Sequence, residues 1–185
     1  MTQSSLPTLN GQHVRLRAPI AEDWAGRFAL GNTPEIHRLF GGSPAHFRKL
    51  SEDAAKSWVE SQMGERYAWI IEHDNRLIGS IRLHTVNALD HRATMAVGIL
   101  DPHSLGKGYG ADAMRLVARH AFGPLGLHRL ALRVLEFNTR AIAAYEKVGF
   151  VKEGRERQTA YIDDVWYDDV IMGLLSTEFE IGAAA

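Results

Sequence analysis

Leu100 to Ala113 reads LDPHSLGKGYGADA. Ahead of it, the apolar run Met95 to Leu100 stops at Asp101-Pro102. Within it, Gly106, Gly108 and Gly110 recur at every second position, and after it Ala111, Met114, Val117, Ala118 and Ala121 fall on one helical stripe. The order is strand, glycine loop, helix. Glycines permit left-handed backbone and close approach of a ligand, while the first amides of the following helix lack intrahelical partners and sit at the positive end of its dipole. Such a corner binds anions, phosphates above all. Taken alone, a G-x-G-x-G turn reads equally as a flexible lead into a helix.

Working outward, Tyr67 to Glu72, Leu77 to Val86 and Arg92 to Leu100 form a predicted three-stranded meander, with turn chemistry at His73-Asp74-Asn75-Arg76 and at Asn87 to Asp90. Before it, His13 to Ala18 alternates as a short strand, and two to three helices follow between Glu22 and Met63, separated by Gly31-Asn32 and by Gly41-Gly42-Ser43-Pro44. After the loop come a helix to Phe122, a strand from Leu130 to Leu135 and a helix from Asn138 to Val148, with Asn138 as N-cap and Gly149 just past the end. Phe150 to Glu153 and Ala160 to Leu174 read as strands around the turn Asp163-Asp164. The implied class is α+β, a mixed but mostly antiparallel sheet of about seven strands flanked by helices, in one domain over residues 1–185. Residues 1–10 and 182–185 read as frayed tails.

The composition, 45% hydrophobic and 23% charged, is that of a soluble globular chain. The net charge of -1 offers no basic footprint for nucleic acid. No apolar run approaches the roughly 18 residues of a membrane span, and the N-terminus shows no export signal. With no cysteine, thiolate catalysis and an enzyme-bound thioester are excluded, and a reducing cytoplasm is the expected location. Nine histidines without ligand spacing give no expectation of a metal.

Two nucleotide patterns fail at the loop. A P-loop requires Lys followed by Ser or Thr, but Lys107 precedes Gly108. A dinucleotide fingerprint, Gly106-x-Gly108-x-x-Ala111, should open a βαβ unit and be answered by an acid about 20 residues on, where Leu130 stands. A third pattern fits. Leu105-Gly106-Lys107-Gly108-Tyr109-Gly110 before an Ala-rich helix resembles the pyrophosphate loop of the GNAT superfamily of N-acetyltransferases, signature [RQ]-x-x-G-x-[GA]. Asn138-Thr139-Arg140-Ala141 through Tyr145 to Gly149-Phe150 resembles the same superfamily's second block, N-x-x-A-x-x-x-Y-x-x-x-G-F. Val14-Arg15-Leu16-Arg17 and Met172-Gly173-Leu174-Leu175 are similar to the branch holding ribosomal-protein N-terminal and diamine acetyltransferases. Leu105 departs from the signature's leading Arg or Gln; its amide is retained, so pyrophosphate binding is weakened rather than lost.

The resemblance implies that acetyl-CoA is the acetyl donor. It would be held by Gly98, Ile99 and Leu100 on a strand that splays from its neighbour, by Leu105, Gly106, Lys107, Gly108, Tyr109, Gly110 and Ala111 at the loop, and by Asn138, Ala141 and Tyr145 on the later helix. It also implies that Tyr145 is the general acid returning a proton to the leaving thiolate; by itself Tyr145 reads as a packing aromatic. Asn138 reads as cofactor ligand or as helix cap. Many members of the superfamily carry a Glu on the strand before the loop, whereas here that strand is Arg92-Ala93-Thr94-Met95-Ala96-Val97 with no acid. His84, Glu35 and Asp168 are candidates for base or substrate contact, alongside a water chain. Asp163, Asp164, Asp168 and Asp169, interleaved with Tyr161, Trp166 and Tyr167, read either as a lure for a cationic amine or as a solvated hairpin. The resemblance implies an acceptor pocket at the helical stretch with Trp24, Phe28, Glu35, Phe40 and Trp58; by themselves these aromatics read as core.

The function these features imply is transfer of acetyl from acetyl-CoA to a primary amine, small molecule or protein N-terminus, by direct attack in a ternary complex. No nucleic-acid or membrane partner is expected, and the chain is expected to act as a monomer or homodimer. A non-catalytic acyl-CoA-binding module on the same fold and a nicotinamide-dependent oxidoreductase are the alternatives.

Overall fold

The computed structural model describes residues 6–179. Two short strands, β1 (Leu9–Asn10) and β2 (Arg15–Arg17), lead to helices α1 (Asp23–Leu30), α2 (Pro34–Leu39) and α3 (Glu52–Met63). Strands β3 (Tyr67–His73), β4 (Arg76–Asn87) and β5 (Arg92–Ile99) follow, then α4 (Tyr109–Phe122), β6 (Arg129–Leu135), α5 (Thr139–Val148), β7 (Val151–Ile162) and β8 (Val165–Leu175). The strands form one eight-stranded sheet in the order β1-β2-β3-β4-β5-β6-β8-β7. Every neighbouring pair is antiparallel except β5 and β6. The α+β class and mixed sheet are those the sequence implies.

The helix starts follow from local chemistry. Ser51 Oγ accepts the Ala54 amide at 3.1 Å, and Thr33 Oγ1 accepts that of Ile36 at 3.2 Å with Pro34 in the first helical position. The core lies between α4 and one face of the sheet, where Met114 and Val117 meet Ile81, Leu83, Met95, Leu130 and Leu174. Ala113, Ala118 and Ala121, all fully buried, let the helix lie close to the strands. On β3, Trp69 and Ile71 belong to that core. Ala68 and Ile70, one residue out of phase, are buried on the opposite face, the side taken by α3.

Two expectations are corrected. Residues 9 and 10 are not a loose tail: Leu9 pairs with Leu16 and Asn10 with Arg15, and Trp69 Nε1 donates to the Pro7 carbonyl at 2.9 Å. Residues 1–5 and the expected fray at 182–185 lie outside the described residues. The stretch between Glu153 and Ala160 is not a gap but part of β7, which runs unbroken with bulges near Lys152/Gly154 and Glu156/Ala160. It is an edge strand exposed on both faces, so no apolar alternation marked it. The turn at Asp163-Asp164 holds, both residues at positive φ as a two-residue hairpin turn requires.

A buried ionic staple joins the first elements. Arg17 Nη2 contacts Asp23 Oδ1 at 2.6 Å, and its Nε contacts Glu72 Oε1 at 2.7 Å. The Asp23 hydrogen bond, ahead of the opposing effect of burial, raises the Arg17 pKa further above its ordinary value. No helix among the described residues is long and apolar enough to cross a membrane.

Candidate active site

The parallel pair is where the sheet opens. Strand β5 pairs with β6 only from Arg92 to Thr94, opposite Arg129 to Ala131. Beyond that point β5 stays with β4 as far as Ile99, and β6 stays with β8 as far as Leu135, so the two strands part. A cavity of about 950 Å³ fills the wedge. The backbone of Met95 to Ile99 along the open side has no strand partner there, leaving amides and carbonyls for a ligand to satisfy. At Gly98 an added Cβ would lie 2.6 Å from the Phe40 ring, so only glycine lets that aromatic rest on the strand.

The glycine loop closes one end of the wedge. Asp101 shapes the turn before it: its Oδ2 accepts Ser104 Oγ at 2.7 Å and its Oδ1 accepts the His103 amide at 3.0 Å. Burial disfavours the charged carboxylate, yet these hydrogen bonds outweigh it and hold the Asp101 pKa below its ordinary value. Gly106 and Gly108 take φ values of 75° and 86°, and a Cβ on either would meet nothing within 4 Å. Glycine is required there by conformation, not crowding. Gly108 is the N-cap of α4 and supplies no side-chain cap; its carbonyl already takes the Asp112 amide at 3.0 Å. The first amides of α4 therefore have no side-chain acceptor, the condition for an anion site.

Tyr109, the first residue of α4, is pinned from outside. Its hydroxyl lies 2.8 Å from His73 Nε2, and His73 Nδ1 lies 2.7 Å from the His13 carbonyl. A carbonyl can only accept, so Nδ1 carries a proton, and in the neutral ring Nε2 accepts from the phenol. The two rings stack with centroids 4.2 Å apart.

Helix α5 forms the facing wall. Asn138 Oδ1 accepts the Ala141 amide at 3.2 Å, so the cap is made, and Asn138, Ala141 and Tyr145 all line the cavity. Burial pushes the Tyr145 phenol up to about 12, which keeps it protonated at neutral pH. The glycine loop and Tyr145 thus share one cavity.

Of the residues expected at the site, Gly98, Ile99, Leu105, Gly106, Gly108, Tyr109, Gly110 and Ala111 line this cavity together with the α5 residues and His84. Leu100, Lys107, Glu35 and Asp168 do not. The Leu100 amide is bonded to the Ile78 carbonyl at 2.8 Å, and Lys107 is exposed. Glu35 is exposed on α2 and meets Arg140 at 3.4 Å. Asp168 accepts the Gln158 amide at 2.9 Å and lies 3.4 Å from Arg155; strand alternation sends its neighbour Asp169 to the cavity instead. His84 sits opposite Thr94 in register, and burial, then Arg82 and Arg133, hold its pKa below the ordinary value against an opposing effect of Glu65.

The acidic hairpin is internally engaged. Asp163 accepts from Ser43 Oγ, Asp164 from the Tyr161 hydroxyl at 3.0 Å, and Asp169 lies 3.7 Å from Arg133. Of the four aromatics in the helical stretch only Phe40 lines the cavity. Sequence reasoning missed Arg82 and Arg133; the available signal was a pair of positions, Arg82 and His84, interrupting an apolar strand on one face. Among the described residues no three His, Cys, Asp or Glu side chains gather as a metal site.

A strand pair that parts beside a glycine-led helix offers unpaired backbone and helix-start amides suited to an extended, anion-bearing ligand. The acetyltransferase (GNAT) domain pattern matches residues 13–151, and the chain belongs to that family. It is 27% identical to the SPbeta prophage-derived uncharacterized N-acetyltransferase YokL of Bacillus subtilis (strain 168), over 92% of this chain and 94% of that one. It is 28% identical to the spermidine N(1)-acetyltransferase of Escherichia coli (strain K12), over 90% and 88%. The spermidine N-acetyltransferase of Vibrio cholerae, solved in complex with CoA and spermine, superposes with a TM-score of 0.73 at 24% identity, covering 90% of this chain and 97% of that one.

Proposed function

We propose that the chain transfers an acetyl group from acetyl-CoA to a primary amine, small molecule or protein N-terminus, by direct attack in a ternary complex, in a cytoplasmic setting suited to its cysteine-free sequence. The observation that carries this is the shared cavity: unclaimed amides at the start of α4 and the Tyr145 phenol line one wedge between β5 and β6. The amides from Gly106 to Ala111 hold the diphosphate, and the unpaired edge of β5 at Val97 to Ile99 holds the pantetheine amides. Bound acetyl-CoA supplies an activated acetyl thioester. As the amine nitrogen bonds to the carbonyl carbon and the carbon–sulfur bond breaks, Tyr145 gives its hydroxyl proton to the departing thiolate. His84, kept neutral by its surroundings, takes the amine proton directly or through water. The amine class is supported by the family and by the spermidine acetyltransferase among the relatives.

Calorimetry with acetyl-CoA and thiol release across a panel of amines test the proposal. Heat with acetyl-CoA and thiol release with at least one amine is the expected result. Heat without thiol release from any amine leaves a binding module, and no heat at all removes the diphosphate site.

A further inference from the structure

The floor of the wedge carries one arginine, Arg82, that no acid pairs with among the described residues. Arg82 stands on β4 between two alanines, Ala68 of β3 and Ala96 of β5, so neither adjoining strand offers it a polar partner in register. Its Nε is buried without a hydrogen-bond partner, and no hydrogen bond or ion pair to the guanidinium forms among the described residues. A guanidinium remains charged at every working pH, and a partly buried charge left unpaired is costly. Arg133 on β6 faces the same cavity. Arg82 and Arg133 both bear on the His84 ring, with Glu65 opposing them, and Arg82 outweighs Glu65 there. The acids nearby are paired with the other arginine: Arg133 lies 3.5 Å from Glu156 and 3.7 Å from Asp169, and neither acid pairs with Arg82.

The location decides what such a charge is for. Ala96, beside Arg82, comes two residues after Thr94, the last β5 residue paired with β6, and therefore stands at the apex of the wedge. The glycine loop lies past the other end of the open stretch, beyond Ile99. An anion at Arg82 is thus not the diphosphate. We infer that the acceptor carries a carboxylate within a few bonds of its amine, as a free amino acid or an acidic peptide N-terminus does, and that Arg82 holds that carboxylate. A polyamine, cationic throughout, meets repulsion at the same point. The inference rests on the acetyl-transfer reading and specifies its acceptor.

Initial rates of thiol release test it with an amino acid, its methyl ester and its amide, an acidic dipeptide and its neutral counterpart, and spermidine, each with acetyl-CoA and with succinyl-CoA. The carboxylate acceptors should exceed their neutral counterparts at least tenfold in kcat/KM, the scale of a hydrogen bond to a charged group. The Arg82→Gln variant should raise KM for the carboxylate acceptor about tenfold while leaving KM for its amide and for acetyl-CoA unchanged, and Arg82→Lys should recover part of the loss. Preference for the free amino acid over the dipeptide, or the reverse, identifies the source. Equal or better turnover of spermidine or the esters overturns the inference while acetyl transfer stands. So does a loss in Arg82→Gln that is the same for every acceptor, or a carboxylate preference that appears in the acyl donor instead. An unchanged heat of acetyl-CoA binding shows that the variant is folded. Absence of thiol release with every amine overturns acetyl transfer itself, and this inference with it.

Discussion

The glycine loop and the β7–β8 hairpin tip are both turns with residues at positive φ, and both carry polar groups. They differ in what is left over. At the hairpin tip Asp163 takes Ser43, Asp164 takes Tyr161, and Asp168 takes the Gln158 amide at the bulge. At the loop, Asp101 is consumed in shaping the turn, but the first amides of α4 have no side-chain acceptor. A binding site is marked by polar groups that the fold positions and does not satisfy: Asp163, Asp164 and Asp168 already have partners, whereas the loop's amides have no side-chain acceptor.

That contrast can be broken at several points. The largest effect is expected at Tyr145, where Tyr145→Phe should lower turnover about a hundredfold while the calorimetric affinity for acetyl-CoA stays within twofold, the loss typical of a positioned proton donor. An unchanged rate would return Tyr145 to a packing role against Phe150, 6.3 Å away between ring centroids.

Next is the loop itself. Gly108→Ala forces a side chain into φ 86°, at about 1–2 kcal/mol of backbone strain. The loop can relieve this only by giving up its amide geometry, so acetyl-CoA should bind roughly tenfold more weakly, read by calorimetry. Since a Cβ there meets no neighbour, an unaltered affinity would mean that the amides are not the ligand's anchor.

A smaller, pH-dependent effect is expected at His84. Its folded pKa lies below the ordinary histidine value, so the ring is neutral at pH 7 and takes up a proton only as pH falls past that depressed value. The rate should therefore hold level through the ordinary histidine range and fall on further acidification, and His84→Gln should remove that acidic limb. By the same linkage, stability is fully present above the unfolded histidine pKa, about 6.5, and declines below it, because the unfolded chain binds the proton more readily. The smallest effect belongs to the hairpin. Asp163→Asn and Asp164→Asn should change kcat/KM for any amine by less than twofold, and a tenfold loss with a cationic acceptor would show that those acids attract substrate after all.

Much of the site was legible because it depends on local backbone. Gly106, Gly108, the Asn138 cap and the spacing from Asn138 to Tyr145 are properties of single turns and one helix, and they appear where those elements are made. Asp168 was chosen over Asp169 because a strand's facing depends on its register across the sheet, where Asp169 stands opposite Leu135 of β6. Arg82 escaped notice for a related reason: the local pattern places it with His84 on one strand face, but only the pairing shows that alanines stand opposite it on both sides.

The sequence by itself determined most of the elements, their order, the glycine loop and the family, since these follow from propensities and spacings within a few turns of chain. Only the tertiary structure decided that β5 and β6 separate after Thr94, that the glycine loop and Tyr145 face one cavity, and that Arg82 lacks a partner while the hairpin acids have theirs. Whether a polar group is satisfied depends on neighbours brought from distant parts of the chain, and that sum closes only when the fold is complete.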